Sequence, residues 1–84
     1  MLTAKIRITL ISSILDPQGK AVEGSLKSMD FRKIVDTRIG KYIELKIDTT
    51  DKKEAEKIAE QACKKLLANP VMENYDFEII KSEV

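Results

Sequence analysis

Residues Ala4 to Leu10 alternate, with Ile6, Ile8 and Leu10 on one side and Lys5, Arg7 and Thr9 on the other. A strict period of two predicts a half-buried strand. After a break at Ser12-Ser13, Asp16-Pro17 puts a capping carboxylate at the N-cap and a proline at the first helical position, where its missing N–H costs nothing. A helix is expected from there. Val22, Leu26 and Met29 keep the i, i+4, i+7 spacing of a buried stripe, against which Gly19 and Gly24 each cost roughly 0.8–1 kcal/mol relative to alanine.

Val35, Thr37 and Ile39 alternate with Asp36 and Arg38, and Ile43, Leu45 and Ile47 alternate with Tyr42, Glu44 and Lys46. Gly40-Lys41 between them predicts a hairpin turn, since glycine alone takes a positive φ without strain. A two-residue loop would set Ile39 beside Tyr42, whereas the apolar set keeps odd numbers straight through the glycine. A three-residue loop pairing Ile39 with Ile43 repairs this. So does one long strand over residues 35–47 whose far half is shared with a second subunit. Next, Ala55, Ile58, Ala59, Ala62, Cys63, Leu66 and Leu67 step by threes and fours, which predicts an amphipathic helix facing a sheet. Asp51 with Glu54 forms a variant capping box, Lys64-Lys65 complement the helix dipole, and Asn69 suits a left-handed C′ position before Pro70. Tyr75, Phe77 and Ile79, opposite Asp76, Glu78 and Ile80, predict a last strand.

The resulting order predicts an α+β fold over residues 1–84 as a single domain: a two-layer βαββαβ sandwich of the ferredoxin-like, split βαβ type. Its four-stranded antiparallel sheet carries both helices on one face, the right-handed crossovers leaving the other face bare. On that bare face fall Lys5, Arg7, Arg38, Tyr42, Glu44, Lys46, Asp76, Glu78 and Ile80, a mixed-sign set.

Composition narrows the chemistry. In 84 residues, 43% hydrophobic and 35% charged, fifteen Lys and Arg stand against fourteen Asp and Glu for a net +1. No bulk field draws the chain to nucleic acid or to an anionic membrane, and no apolar run approaches a membrane span. With no His, Cys63 lacks an imidazole base, and its place in the helix stripe marks it as a packing residue. There is no Cys or His cluster for a metal, and Asp48, Asp51, Glu54 and Glu56 lack the glycine-turned loop of a calcium site. Asp16 to Lys20 could attract an anion at a helix N-terminus, yet Asp16 is itself placed to occupy those N–H groups. Base stacking needs two or three aromatics on the open face; only Tyr42 is there. The lone cysteine suits the cytoplasm.

Three blocks exceed what a core requires: Leu15-Asp16-Pro17-Gln18-Gly19-Lys20-Ala21-Val22, Arg38-Ile39-Gly40-Lys41-Tyr42-Ile43-Glu44-Leu45, and Cys63-Lys64-Lys65-Leu66-Leu67-Ala68-Asn69-Pro70-Val71 with Tyr75 after it. Their order, spacing and the overall length resemble the PurS family, the small subunit of phosphoribosylformylglycinamidine synthase. Ile11-Ser12-Ser13-Ile14 and Ser28-Met29-Asp30-Phe31 depart from the family's usual loop sequences. The resemblance implies a noncatalytic subunit in the fourth step of de novo purine synthesis, without a cofactor of its own. It would dimerise, or form a tetramer when alone, and bridge a PurQ-type glutaminase and a PurL-type synthetase that binds ATP and Mg. It would support passage of ammonia between them. The subunit contacts it implies are Asp16, Pro17, Gln18, Gly19, Arg38, Gly40, Lys41, Tyr42, Glu44, Asn69, Pro70 and Val71. A regulatory domain of similar topology that binds a small molecule between subunits is the alternative, and an RNA-binding module is a further rival.

Overall fold

The structure is a computed structural model that describes residues 1–82, so the last two positions of the expected domain lie outside the described residues. The elements are β1 (Leu2–Leu10), α1 (Pro17–Ser28), β2 (Gly40–Ile47), α2 (Lys52–Ala62) and β3 (Glu73–Lys81), with a π-helical turn, Cys63–Leu67, running on from α2. The sheet has three antiparallel strands in the order β2-β1-β3. In the middle of β1, Ile6 lies between Ile43 and Phe77, and Ala4 between Leu45 and Ile79.

Ile6, Ile8, Ala55, Ala59 and Cys63 are fully buried. The two alanines are small enough to bring α2 down onto β1 and β3, and that contact, rather than bulk, builds the core. Cys63 sits there as a packing residue, its thiol pKa pushed up by burial and then by the nearby Glu60 carboxylate. Asp51 caps α2 as expected, its carboxylate accepting from the Lys53 N–H at 3.0 Å. The reciprocal half of the box is replaced: the Asp51 N–H donates to Thr49 Oγ1 at 3.1 Å, and Glu54 is not used.

The fold departs from the expected four-stranded sandwich in three places. Residues 34–39 form no strand, and the predicted hairpin is absent. Gly40 instead opens β2 with no positive φ. A Cβ there would collide with the Ile8 carbonyl oxygen and approach Thr9 Cγ2 to 2.8 Å, so close approach to β1, not turn freedom, requires the glycine. With the fourth strand missing, β2 becomes an edge.

The second departure is α1, which is not packed on the sheet. A compact domain of this length has a radius of gyration of about 12 Å; here it is 16.2 Å, with extents of 48 × 30 × 14 Å. Residues 16–39 therefore project as an arm, and the stripe expected to be buried is open, Val22 at 39% and Met29 at 66% exposure. Gly19 and Glu23 are buried instead, with the Thr37 carbonyl oxygen 2.6 Å from where a Gly19 Cβ would stand. Third, the left-handed residue is Asp30 (φ 74°), just past the α1 C-cap, and not Asn69. Asn69 closes an Asx turn, its Oδ1 accepting from the Val71 N–H at 3.0 Å.

Tyr75 ties β3 to α2, its hydroxyl donating to Glu60 Oε1 at 2.7 Å. This bond, followed by burial, raises the Tyr75 pKa from 10.0 to about 12, and the same bond lowers that of Glu60. A raised folded pKa gives stability that is complete below the unfolded value and lost as pH rises through the folded one. Tyr75→Phe is therefore expected to flatten the loss of stability between pH 10.0 and about 12. Urea unfolding midpoints across that range measure it, and a loss equally steep in the variant contradicts the assignment.

Candidate subunit interface

At the end of the sheet where β1 leaves and β2 enters, one carboxylate holds both chains of the arm. Asp16 Oδ1 accepts from the Gly19 N–H and Oδ2 from the Ile39 N–H, each at 2.9 Å. These two bonds lower its pKa, with smaller help from the Arg38 and Lys20 charges. The Gly19 N–H, one of those an anion at this helix end would use, is thus already occupied. Arg38 donates to the Leu10 carbonyl and lies at this end of the sheet, not on the bare face where its alternation had placed it.

A second carboxylate organises the adjoining loop. Glu73, at the start of β3, accepts from the Asn69 N–H at 2.8 Å through Oε1, and its Oε2 lies 3.3 Å from Lys41 Nζ. The Asn69 bond, and after it Lys41, keep the Glu73 pKa low. The Ile11 N–H donates to the Met72 carbonyl at 2.9 Å, fastening the exit of β1 to the same loop. Asp16, Pro17, Gln18, Gly40, Lys41 and Glu73 share a cleft of about 280 Å³ floored by Ile8 and Leu10.

The first and second blocks thus meet in one cleft, and the third joins through Glu73. Pro70 and Val71 lie in the adjacent exposed loop, Val71 at 77% exposure, beside Met72 at 40%. Tyr42 and Glu44 do not join them. They point from β2 to the open charged face, opposite Arg7 and Lys5, where the Tyr42 hydroxyl donates to Glu44 Oε2 at 2.8 Å and its own pKa rises. Arg7 and Asp76 pair on that face at 2.8 Å, both largely exposed. Sequence reasoning missed Glu73 and the Ile39 N–H, and only the position of Glu73 four residues after Asn69 could have hinted at the former.

Hydrogen bonding dominates this end of the sheet. Its carboxylates are hydrogen-bonded acceptors and its thiol is elsewhere, in the core. Among the described residues no cluster of three or more metal-ligating side chains occurs, and no helix there is long and apolar enough to cross a membrane. What the arrangement offers is a hydrogen-bonded, shaped end of a sheet. Residues 3–81 match the family described as PurS, phosphoribosylformylglycinamidine (FGAM) synthase. The chain belongs to the PurS family.

A PurS subunit from Bacillus subtilis (strain 168) is 43% identical over 79 residues, covering 94% of this chain and 93% of its own. A solved Bacillus subtilis PurS structure superimposes with a TM-score of 0.83 at 42% identity, over 96% of this chain and 100% of the other. A chain in the structure of PurLQS from Thermotoga maritima gives 0.84 at 30% identity, over 95% and 99%. The PurS assignment makes this protein a subunit of FGAM synthase in purine biosynthesis. The three-stranded sheet with two helices, in the order βαβαβ, is the PurS fold.

Proposed function

We propose that the protein is a noncatalytic bridge, joining a PurQ-type glutaminase to a PurL-type ATP-dependent synthetase in the cytoplasm and supporting transfer of ammonia. The observation that carries this is the likeness, over nearly the full chain, to a component of PurLQS from Thermotoga maritima. The cleft at the sheet end supports it, because a surface made of satisfied hydrogen bonds suits recognition and holds no reactive group. ATP and Mg belong on the synthetase, with no cofactor on this subunit. Asp16, Pro17, Gln18, Gly19, Arg38, Gly40, Lys41, Asn69, Pro70 and Val71 form one partner surface, with Tyr42 and Glu44 on a second. The subunit works as a self-associated dimer.

The benefit of a bridge is physical. Ammonia released into water is protonated and diluted, so holding producer and consumer together preserves a reactive nucleophile at high effective concentration. The test is synthesis of the amidine product by the cognate synthetase and glutaminase, with and without this protein, from glutamine or from ammonium salt. Glutamine-driven synthesis is expected to need the protein and ammonium-driven synthesis to proceed without it. Equal glutamine-driven rates in its absence would overturn the bridging role.

A further inference from the structure

The last strand leaves one side of its backbone unused. β3 pairs with β1 and, among the described residues, no strand lies beyond it, so the nine residues Glu73–Lys81 form an outer edge. Which groups face outward follows from the ladder. The Ser82 N–H donates to the Met1 carbonyl at 3.1 Å, and the Ile11 N–H to the Met72 carbonyl at 2.9 Å. Carried along the register between them, these bonds put the even-numbered residues of β3 in the hydrogen-bonded pairs with β1. Tyr75, Phe77 and Ile79 therefore turn their N–H and C=O groups outward. The register is unbroken by a bulge and β3 holds no proline, so the edge is open to a further strand.

A groove follows the same edge on the α2 side. About 580 Å³ in volume, it is lined by Phe77 and Ile79 and by Lys52, Lys53, Glu56 and Lys57. Phe77 and Ile79 are only partly buried, so an apolar strip accompanies the free backbone groups. Among the described residues none of the three lysines has an ion-pair partner, while nearby Glu60 is engaged by Tyr75 and Lys64. The open face of β3 carries the opposite sign. Asp76 is there, paired with Arg7, as is Glu78 at the groove's outer rim, exposed and without an ion-pair partner among the described residues.

We infer that this edge receives an extended segment of a partner subunit, added as an outer strand beside β3, with acidic side chains directed at Lys52, Lys53 and Lys57 and a basic one beside Glu78. This rests on the bridging role proposed above and gives it a second mode of contact. Main-chain bonds to Tyr75, Phe77 and Ile79 supply affinity, and the alternation of charge along the added strand supplies specificity. A second copy's β3 is a poor occupant. Any antiparallel pairing of two β3 strands that keeps their core-facing sides together brings Asp76 and Glu78 beside the same acids, and like charges across a strand pair are destabilising.

Amide hydrogen exchange tests this, read residue by residue on the protein alone and on the protein assembled with its cognate glutaminase and synthetase. In the free protein the Tyr75, Phe77 and Ile79 N–H groups are expected to exchange quickly, and those of Asp76 and Glu78, bonded to β1, slowly; on assembly the first three fall to the rates of the other two. A complex that makes the amidine product from glutamine yet leaves those three amides fast overturns the edge contact and leaves the bridge standing. Failure to form any complex overturns both. Slow exchange of the three amides in the protein alone assigns the edge to another copy and also overturns the proposal. Lys53→Glu combined with Lys57→Glu gives a second measurement. Lys53 lies in the opening turn of α2, where an acid suits the helix dipole, so unchanged circular dichroism is expected. Assembly should weaken about tenfold, the scale of a few exposed ion pairs lost together. Assembly at native affinity counts against the assignment.

Discussion

Gly40→Val lowers the stability of the protein by about 1–3 kcal/mol, the range for forcing extra atoms into a packed site. Against total stabilities of about 5–15 kcal/mol for native proteins, that is a large fraction for a small domain. Valine is a good strand residue and the Gly40 backbone has no positive φ, so propensity alone predicts a gain. The obstacle is β1: the new Cβ meets the Ile8 carbonyl oxygen and Thr9 Cγ2, one of them backbone that cannot rotate away. Gly24→Ala provides the contrast, because nothing lies within 4 Å of its Cβ position. That change is expected to stabilise α1 by roughly 0.5–1 kcal/mol. Urea unfolding of both variants measures the difference, and a Gly40→Val midpoint at or above the native one removes the close-approach explanation.

Asp16→Ala is expected to abolish assembly with the synthetase while leaving the sheet's circular dichroism intact. The substitution releases the Gly19 and Ile39 N–H groups together, so the two chains of the arm lose their common anchor. Asp16→Asn retains an acceptor oxygen but not the charge, and should fall between the two. The pH dependence follows from the lowered pKa. Because the folded value lies below the ordinary 3.8, Asp16 contributes stability above that value, and loses it as pH falls through the folded one. Thermal melts of the Ala variant should therefore show a shallower acid branch. Co-elution of Asp16→Ala with the synthetase at native yield would remove Asp16 from the interface.

Periodicity carried most of the fold because β1, α2 and β3 each bury one face in the same core. Ile6, Ala59 and Phe77 declare themselves by spacing alone. The same reasoning misread α1, since a stripe of Val22, Leu26 and Met29 reveals that a helix has an apolar side without saying which surface covers it. It misread Gly40 for a related reason. A glycine between two alternating runs looks like a turn, while the collision that explains it comes from a strand some thirty residues earlier, about the span a whole βαβ unit occupies. Unbroken odd-number phase through Gly40 was the correct warning.

The site was legible in its local half. Asp16-Pro17 announces a cap, and the Gly19 bond is the one such a cap makes. The bond to the Ile39 N–H joins residues 23 positions apart and leaves no trace in spacing. Glu73 is almost as well hidden, its four-residue spacing from Asn69 being the one hint. Its tie to Lys41 exists only after β2 and β3 have both paired beside β1, which makes the cleft a product of the finished sheet.

That dependence fixes when the protein can become itself. β1, the first strand in sequence order, is the middle of the sheet, and its β3 partner is the third; Thr3 and Ser82, which share a hydrogen bond at 2.6 Å, are 79 positions apart. Until β3 emerges, Ile6 and Ile8 have only β2 beside them, and the Asn69 loop has no Glu73 to close it. Folding is therefore dominated by long-range pairing, on the slow side for so short a chain. Before β3 joins, the chain has only a β1–β2 pair, which must find its third strand before it can find a partner.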